Sequence, residues 1–169
     1  RKLGFATGKL LADKYRLERR LNGQSPLVLM ARDSRGSGAS IGKSLAQGFA
    51  KAGWRVIDLG LIPTPGLAYL VPRRGALCGA MISASHNPAE FNGIKFFTCN
   101  GFKMGSDIEA DLEARILALP DPGMGSPRIG KDVGAVADYL DYLKSTFPAN
   151  LDLTGMKIVV DCAHGAACR

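Results

Sequence analysis

The sequence predicts an α/β protein, a three-layer α/β/α sandwich built on a mixed, mostly parallel sheet. Two observations carry this prediction. Short apolar runs fit for buried strands, such as Leu27-Val28-Leu29-Met30-Ala31, alternate along the chain with stretches of helical period. Clusters of Gly, Pro, Asn and Ser separate them, as between Ser34 and Ser40 and at Asn92-Gly93.

The elements follow in order. Residues 3–15 read as a helix, with Leu3, Leu10 and Leu11 apolar and Ala6 and Ala12 small. The strand 27–31 leads into the glycine and serine loop 34–40. The next helix has Ile41, Leu45 and Phe49 on one face, and Gly53 is its natural stop. Arg55–Leu59 is a second strand. Thr64-Pro65 reads as an N-cap and first-turn proline for a helix reaching about Val71.

Residues 76–82 form a third strand and end in a Ser85-His86-Asn87-Pro88 loop. Ile94–Thr98 is a fourth strand, and the Asn92-Gly93 turn before it permits an antiparallel return. Ser106-Asp107-Ile108-Glu109 has the form of a capping box, opening a helix with Ile108, Leu112 and Ile116 on one face. Pro120-Asp121-Pro122-Gly123 ends that helix. Val133, Val136, Leu140, Leu143 and Phe147 recur at helical spacing and predict an amphipathic helix whose apolar stripe packs inward; Pro148 closes it. Residues 149–155 read as a linker, and Lys157–Asp161 as the first strand of a further unit. The expected division is a domain over 1–147 and the start of a second over 148–169. The chain begins at Arg1 instead of Met, so it reads as part of a longer protein.

Composition narrows the function classes. The 169 residues are 46% hydrophobic and 22% charged, the balance of a soluble globular protein. No apolar run approaches the roughly 20 residues of a membrane span, and no signal-peptide pattern opens the chain, so a cytoplasmic protein is expected. Cys78, Cys99, Cys162 and Cys168 form no Cys-x-x-Cys pair and read as reduced thiols. His86 and His164 are too few and too far apart to build a zinc site with them. The net charge is +7, but the arginines at 16, 19, 20, 32, 35, 73 and 74 are dispersed. Aromatics do not interleave with them as a base-stacking platform requires, which argues against nucleic acid. A basic surface would steer a phosphorylated metabolite.

The most informative run is Met81 to Phe97. It places a hydroxyl, Ser85, beside an imidazole, His86, just past a strand end, with Lys95 ten residues on. Ligands of open α/β sheets gather at the carboxyl ends of strands, where loop N–H groups can hold phosphate. A nucleophilic hydroxyl near a His and a Lys there points to chemistry on an anionic group, phosphate above all. A serine hydrolase is disfavoured, since chain neighbours are poorly placed as a Ser-His pair and there is no Gly-x-Ser-x-Gly elbow. Asp33-Ser34-Arg35, after the first strand, is expected at the same mouth, where an arginine suits phosphate.

Met81–Phe97 resembles the phosphoserine loop of the α-D-phosphohexomutases. Ala31–Gly38, Pro63-Thr64-Pro65 and Val159–Ala166 resemble other segments of that family, in the same order along the chain. Asn92–Phe97 and Tyr142–Pro148 resemble its amino-sugar branch, while Phe91 and His164 stand where Asp and Asn are usual.

The resemblance implies that Ser85 carries a phosphoryl group and passes it to a 6-phosphosugar. A hexose 1,6-bisphosphate intermediate then returns its other phosphate to Ser85. Lys95 would contact the phosphoryl group, and His86 would orient or neutralise the site. Arg35, Asn87 and Asn92 would bind phosphate or substrate. It also implies Mg²⁺, held by the phosphate on Ser85 and by an aspartate-rich loop that these residues lack, so these 169 residues alone are expected to be inactive. The implied partners are the phosphosugar, the bisphosphate and, where the protein self-associates, a homodimer. A noncatalytic sugar-phosphate-binding module is the competing reading from another class.

Overall fold

A computed structural model describes residues 1–15 and 24–168. Of the dispersed arginines, Arg16, Arg19 and Arg20 lie outside the described residues.

The elements in chain order are α1 (Lys2–Tyr15), β1 (Leu27–Arg32), α2 (Gly38–Lys51), β2 (Arg55–Leu61) and α3 (Thr64–Arg73). They continue with β3 (Cys78–Ile82), β4 (Ile94–Thr98), α4 (Ser106–Ala118), β5 (Ile129–Lys131) and α5 (Ala135–Thr146). The strands form one five-stranded sheet in the order β4-β3-β1-β2-β5. β4 alone runs antiparallel to its neighbour, so the sheet is mixed and mostly parallel, as expected.

Period-two alternation divides the core between the two faces of the sheet. Val28 and Met30 of β1 face one side, where they pack with Leu10 and Leu11 of α1, Leu45 and Phe49 of α2 and Leu112 of α4. Leu29 and Ala31 face the other, against Leu67, Leu70 and Val71 of α3 and Tyr139 of α5. β1 and β3 are buried along nearly their whole length, as parallel strands covered on both faces must be. The four cysteines are free thiols, and burial raises the pKa of Cys78.

Several expectations need correction. The capping box does not form. Gly105 occupies the N-cap of α4 without a side-chain bond, and Ser106 is already helical. Asp107 takes over the electrostatic part of the work, with its carboxylate in the first turn where helix N–H groups are unpaired. α3 likewise starts one residue early, with Pro63 as N-cap and Thr64 inside the helix.

The predicted stripe of α5 is the wrong face. Val133, Val136, Leu140, Leu143 and Phe147 are exposed, while Ala135 and Tyr139 are buried. Both stripes satisfy helical spacing, and anchors on α3 and just past its end choose between them. Tyr69 stacks on Tyr142 with ring centroids 4.0 Å apart, and Arg74 pairs with Asp132 at 2.6 Å and with Asp138.

Lys157–Asp161 is not a strand. Val159 and Val160 are exposed, and the segment joins neither edge of the sheet. A strand is closed by hydrogen bonds to a neighbour, and this one has none among the described residues.

Candidate active site

β1 and β3 are parallel neighbours, with Arg32 opposite Ile82 at their carboxyl ends. Their loops therefore leave the sheet side by side. The Asp33 N–H donates to the Ile82 carbonyl at 3.1 Å and extends the pairing one step past the strands.

The first loop folds around Asp33, which is buried. Its carboxylate accepts the Arg35 backbone N–H at 3.1 Å and the Arg35 Nε at 3.0 Å. The aspartate thus bonds its own backbone two residues on, the usual device of an Asp turn. It also fixes the direction in which the guanidinium leaves.

The second loop, residues 83–93, carries Ser85. Ser83 is buried, donates its N–H to the Gly93 carbonyl at 2.9 Å and accepts the Ser85 N–H on its Oγ at 3.0 Å. Ser85 itself is exposed and has φ 60°. A residue with a Cβ pays roughly 1–2 kcal/mol for that left-handed conformation, so the surrounding bonds must impose it. A backbone bent this way presents the Ser85 hydroxyl at the strand mouth.

The other expected site residues are placed as follows. His86 Nδ1 lies 3.5 Å from Ser85 Oγ, the outer limit of a hydrogen bond, so the imidazole is adjacent to the hydroxyl without gripping it. Asn87 donates its N–H to the Ala84 carbonyl at 3.2 Å, closing a turn. Asn92 binds back into the loops, with Oδ1 accepting the Gly93 N–H at 2.8 Å and Nδ2 donating to Ser37 Oγ at 3.0 Å. Lys95 stands opposite Met81 on β4, half-buried, and makes no ion pair among the described residues. The Ser34 hydroxyl donates to the carbonyl of His164, bringing the segment after 160 to the rim.

Arg35 differs most from expectation. Its side chain is only 9% exposed, and besides Asp33 it binds the carbonyls of Ser85, Asn87, Pro88 and Phe91. It is turned into the Ser85 loop, with no N–H left over for phosphate. Asp33, expected at the mouth without a role of its own, anchors Arg35. Ser83 and Ser37 are the supporting residues that sequence reasoning did not single out.

For metals, the described residues contain no group of three or more His, Cys, Asp or Glu side chains able to hold an ion. They do not by themselves fit a Mg²⁺ site. No helix among them is long and apolar enough to cross a membrane.

A family model described as phosphoglucomutase/phosphomannomutase, alpha/beta/alpha domain I, matches residues 1–121. The phosphoglucosamine mutase of Burkholderia thailandensis is 45% identical over 170 residues, covering 98% of this chain. That of Burkholderia mallei is 46% identical over 171 residues, again covering 98% of this chain. The chain spans 37% of the length of each of these relatives.

Among solved structures, a Thermus thermophilus protein put forward as a phosphomannomutase superposes with a TM-score of 0.70 at 28% identity. The match covers 87% of this chain and 31% of that one. A phosphoglucomutase/phosphomannomutase family protein from Burkholderia thailandensis gives 0.54 at 27% identity, covering 78% and 28%.

Proposed function

This chain belongs to the phosphoglucomutase/phosphomannomutase family, and from that premise we propose that its protein interconverts glucosamine 6-phosphate and glucosamine 1-phosphate, with Ser85 as phosphoryl carrier. The observation that carries the choice of sugar is the 45–46% identity to phosphoglucosamine mutases across 98% of the chain. The observation that supports the carrier is Ser85 itself, an exposed hydroxyl held in left-handed backbone at the mouth of β3.

The reaction balances without any redox partner. The bond from phosphorus to Ser85 Oγ breaks as one forms to sugar O1, the O1 hydroxyl proton ends on Ser85 Oγ, and the product is the 1,6-bisphosphate. The bisphosphate turns over, its 6-phosphoryl group moves to Ser85 Oγ as the hydroxyl proton of Ser85 ends on O6, and glucosamine 1-phosphate leaves. Such transfers need little covalent help from the protein and much positioning and charge stabilisation. Lys95 supplies a compact cation on the strand beside the loop, and His86 adds an imidazole next to the carrier. Asn87 and Asn92 hold the loop's shape through their own hydrogen bonds.

Mg²⁺ belongs to this reading as a cofactor that would stabilise charge on the transferring group. A phosphate on Ser85 would be the contribution of these residues to its ligands, and no step above is routed through the metal. The protein is read as cytoplasmic and acting on free phosphosugars. The solved structures at 27–28% identity carry phosphomannomutase and phosphoglucomutase names, so mannose and glucose phosphates are the competing substrates.

The test uses the full-length gene product. Incubation with glucosamine 1,6-bisphosphate should add one phosphoryl group to Ser85, read by mass spectrometry. Ser85→Ala should abolish turnover of glucosamine 6-phosphate with little change in thermal stability, because an exposed loop serine contributes little to a core. Activity at the wild-type level in that variant removes the carrier assignment. Phosphorylation without turnover of any hexose phosphate would favour a binding module.

A further inference from the structure

We propose that Arg35 is a positioning residue that builds the phosphate site without touching phosphate. The proposal rests on the reading of Ser85 as the carrier, and it begins from a donor count. A guanidinium has five N–H groups and no acceptor. In Arg35 all five are engaged. Nε donates to Asp33 Oδ2 at 3.0 Å, Nη1 to the carbonyls of Phe91 at 2.8 Å and Pro88 at 2.5 Å, and Nη2 to those of Ser85 at 2.7 Å and Asn87 at 2.8 Å.

The consequence lies on the other side of each peptide group. In a trans peptide the C=O of one residue and the N–H of the next point in opposite directions, and no peptide bond here is cis. Gathering the carbonyls of Ser85, Pro88 and Phe91 onto Arg35 therefore turns the N–H groups of His86, Ala89 and Asn92 away from it. The fourth carbonyl, of Asn87, precedes a proline and costs no donor. None of those three N–H groups has an acceptor among the described residues. An anion beside Ser85 would meet backbone donors that the loop's own shape has freed, the arrangement by which backbone N–H groups hold phosphate elsewhere. The same clamp holds the Ser85 carbonyl in place and with it the left-handed φ.

Lysine cannot substitute, because an ammonium offers three donors from one point and cannot span four carbonyls and a carboxylate. The test pairs Arg35→Lys with the milder Asp33→Asn, which weakens one anchor of the guanidinium. The first readout is amide hydrogen exchange of the full-length gene product. Ser85, Asn87 and Phe91, whose N–H groups bond within the loop, should exchange at least about tenfold faster in Arg35→Lys, while β1 and β3 stay protected. Asp33→Asn should move the same amides less, and it decides the question alone if Arg35→Lys does not fold.

The second readout is steady-state kinetics of the full-length gene product. kcat should fall about 10²-fold, the scale of a misplaced reacting group. KM for glucosamine 6-phosphate should stay within about twofold. Unchanged loop exchange, or a raised KM with kcat preserved, overturns the proposal, the latter because it would make Arg35 a substrate-phosphate ligand. If wild-type Ser85 takes up no phosphoryl group, the carrier reading fails instead, and the exchange data still decide whether Arg35 shapes the loop.

Discussion

Gly48 of α2 faces Gly4 of α1 across a gap that one methyl group would close. A Cβ on Gly48 would stand 3.0 Å from the Gly4 Cα and 2.1 Å from the Arg1 carbonyl oxygen. The reverse contact is as tight, a Cβ on Gly4 falling 2.3 Å from the Leu45 carbonyl oxygen. The two helices cross backbone to backbone, which lets α1 sit low enough for Leu10 and Leu11 to reach the sheet-side core.

Two effects of opposite sign compete at Gly48. Alanine in a helix interior is favoured over glycine by about 1 kcal/mol. Overpacking a close-packed contact costs typically about 1–3 kcal/mol. The obstacle here is main chain and cannot rotate aside, so the second effect should win. Gly48→Ala is expected to destabilise the domain by about 1–2 kcal/mol net, read as a lower urea midpoint at unchanged m-value. Gly36→Ala is the control, because nothing lies within 4 Å of its added Cβ. A stabilised Gly48→Ala variant would show that the helices do not cross this closely.

Lys95 is expected to act on the transition state more than on binding. It sits opposite Met81, one residue before the end of β3, and keeps its charge free of ion pairs among the described residues. An ammonium that meets the phosphoryl group only in flight stabilises developing charge as a point cation. Lys95→Ala in the full-length gene product should lower kcat about 10²-fold, the scale for one electrostatic donor. Thermal stability should hardly change. An unaltered kcat would leave Lys95 as an ordinary edge-strand residue.

These residues also mark what the sequence could and could not reveal. β1, β3 and the loop after them were legible because buried parallel strands read as unbroken apolar runs, and the Ser85 segment bears its chemistry in consecutive residues. β5 was not legible. It has three exposed residues, one of them Gly130, and exists only because β2 offers it an edge. The buried face of α5 was ambiguous for a related reason. The periodicity allowed two stripes, and the deciding contacts come from Tyr69 and Arg74 on or beside another helix. Arg35 shows the same limit at the site. Its position at a strand mouth was readable, but its acceptors lie in a segment some fifty residues away. Local sequence sets where such a side chain starts, and tertiary packing sets where it ends.

Asp107 should give the domain a stability that fades in acid. The Ile108 backbone N–H and then the Lys14 ammonium, 3.4 Å away, hold its carboxylate pKa below the ordinary value. It stands in the first turn of α4, where the helix dipole favours negative charge, and the ion pair ties that helix to the end of α1. The folded state therefore binds this proton more weakly than the unfolded chain does. The stabilisation is complete above the unfolded carboxylate value, near about 4, and is lost as pH falls through the lower folded value. Asp107→Asn should lower the thermal midpoint at pH 7 by a small amount, as befits a fully exposed group. The gap from wild type should narrow as the pH is taken below about 4. Salt should remove the part owed to Lys14 and leave the part owed to the Ile108 N–H, because screening acts on the exposed pair first. A gap that persists unchanged in acid would mean that the carboxylate's charge is not what Asp107 contributes.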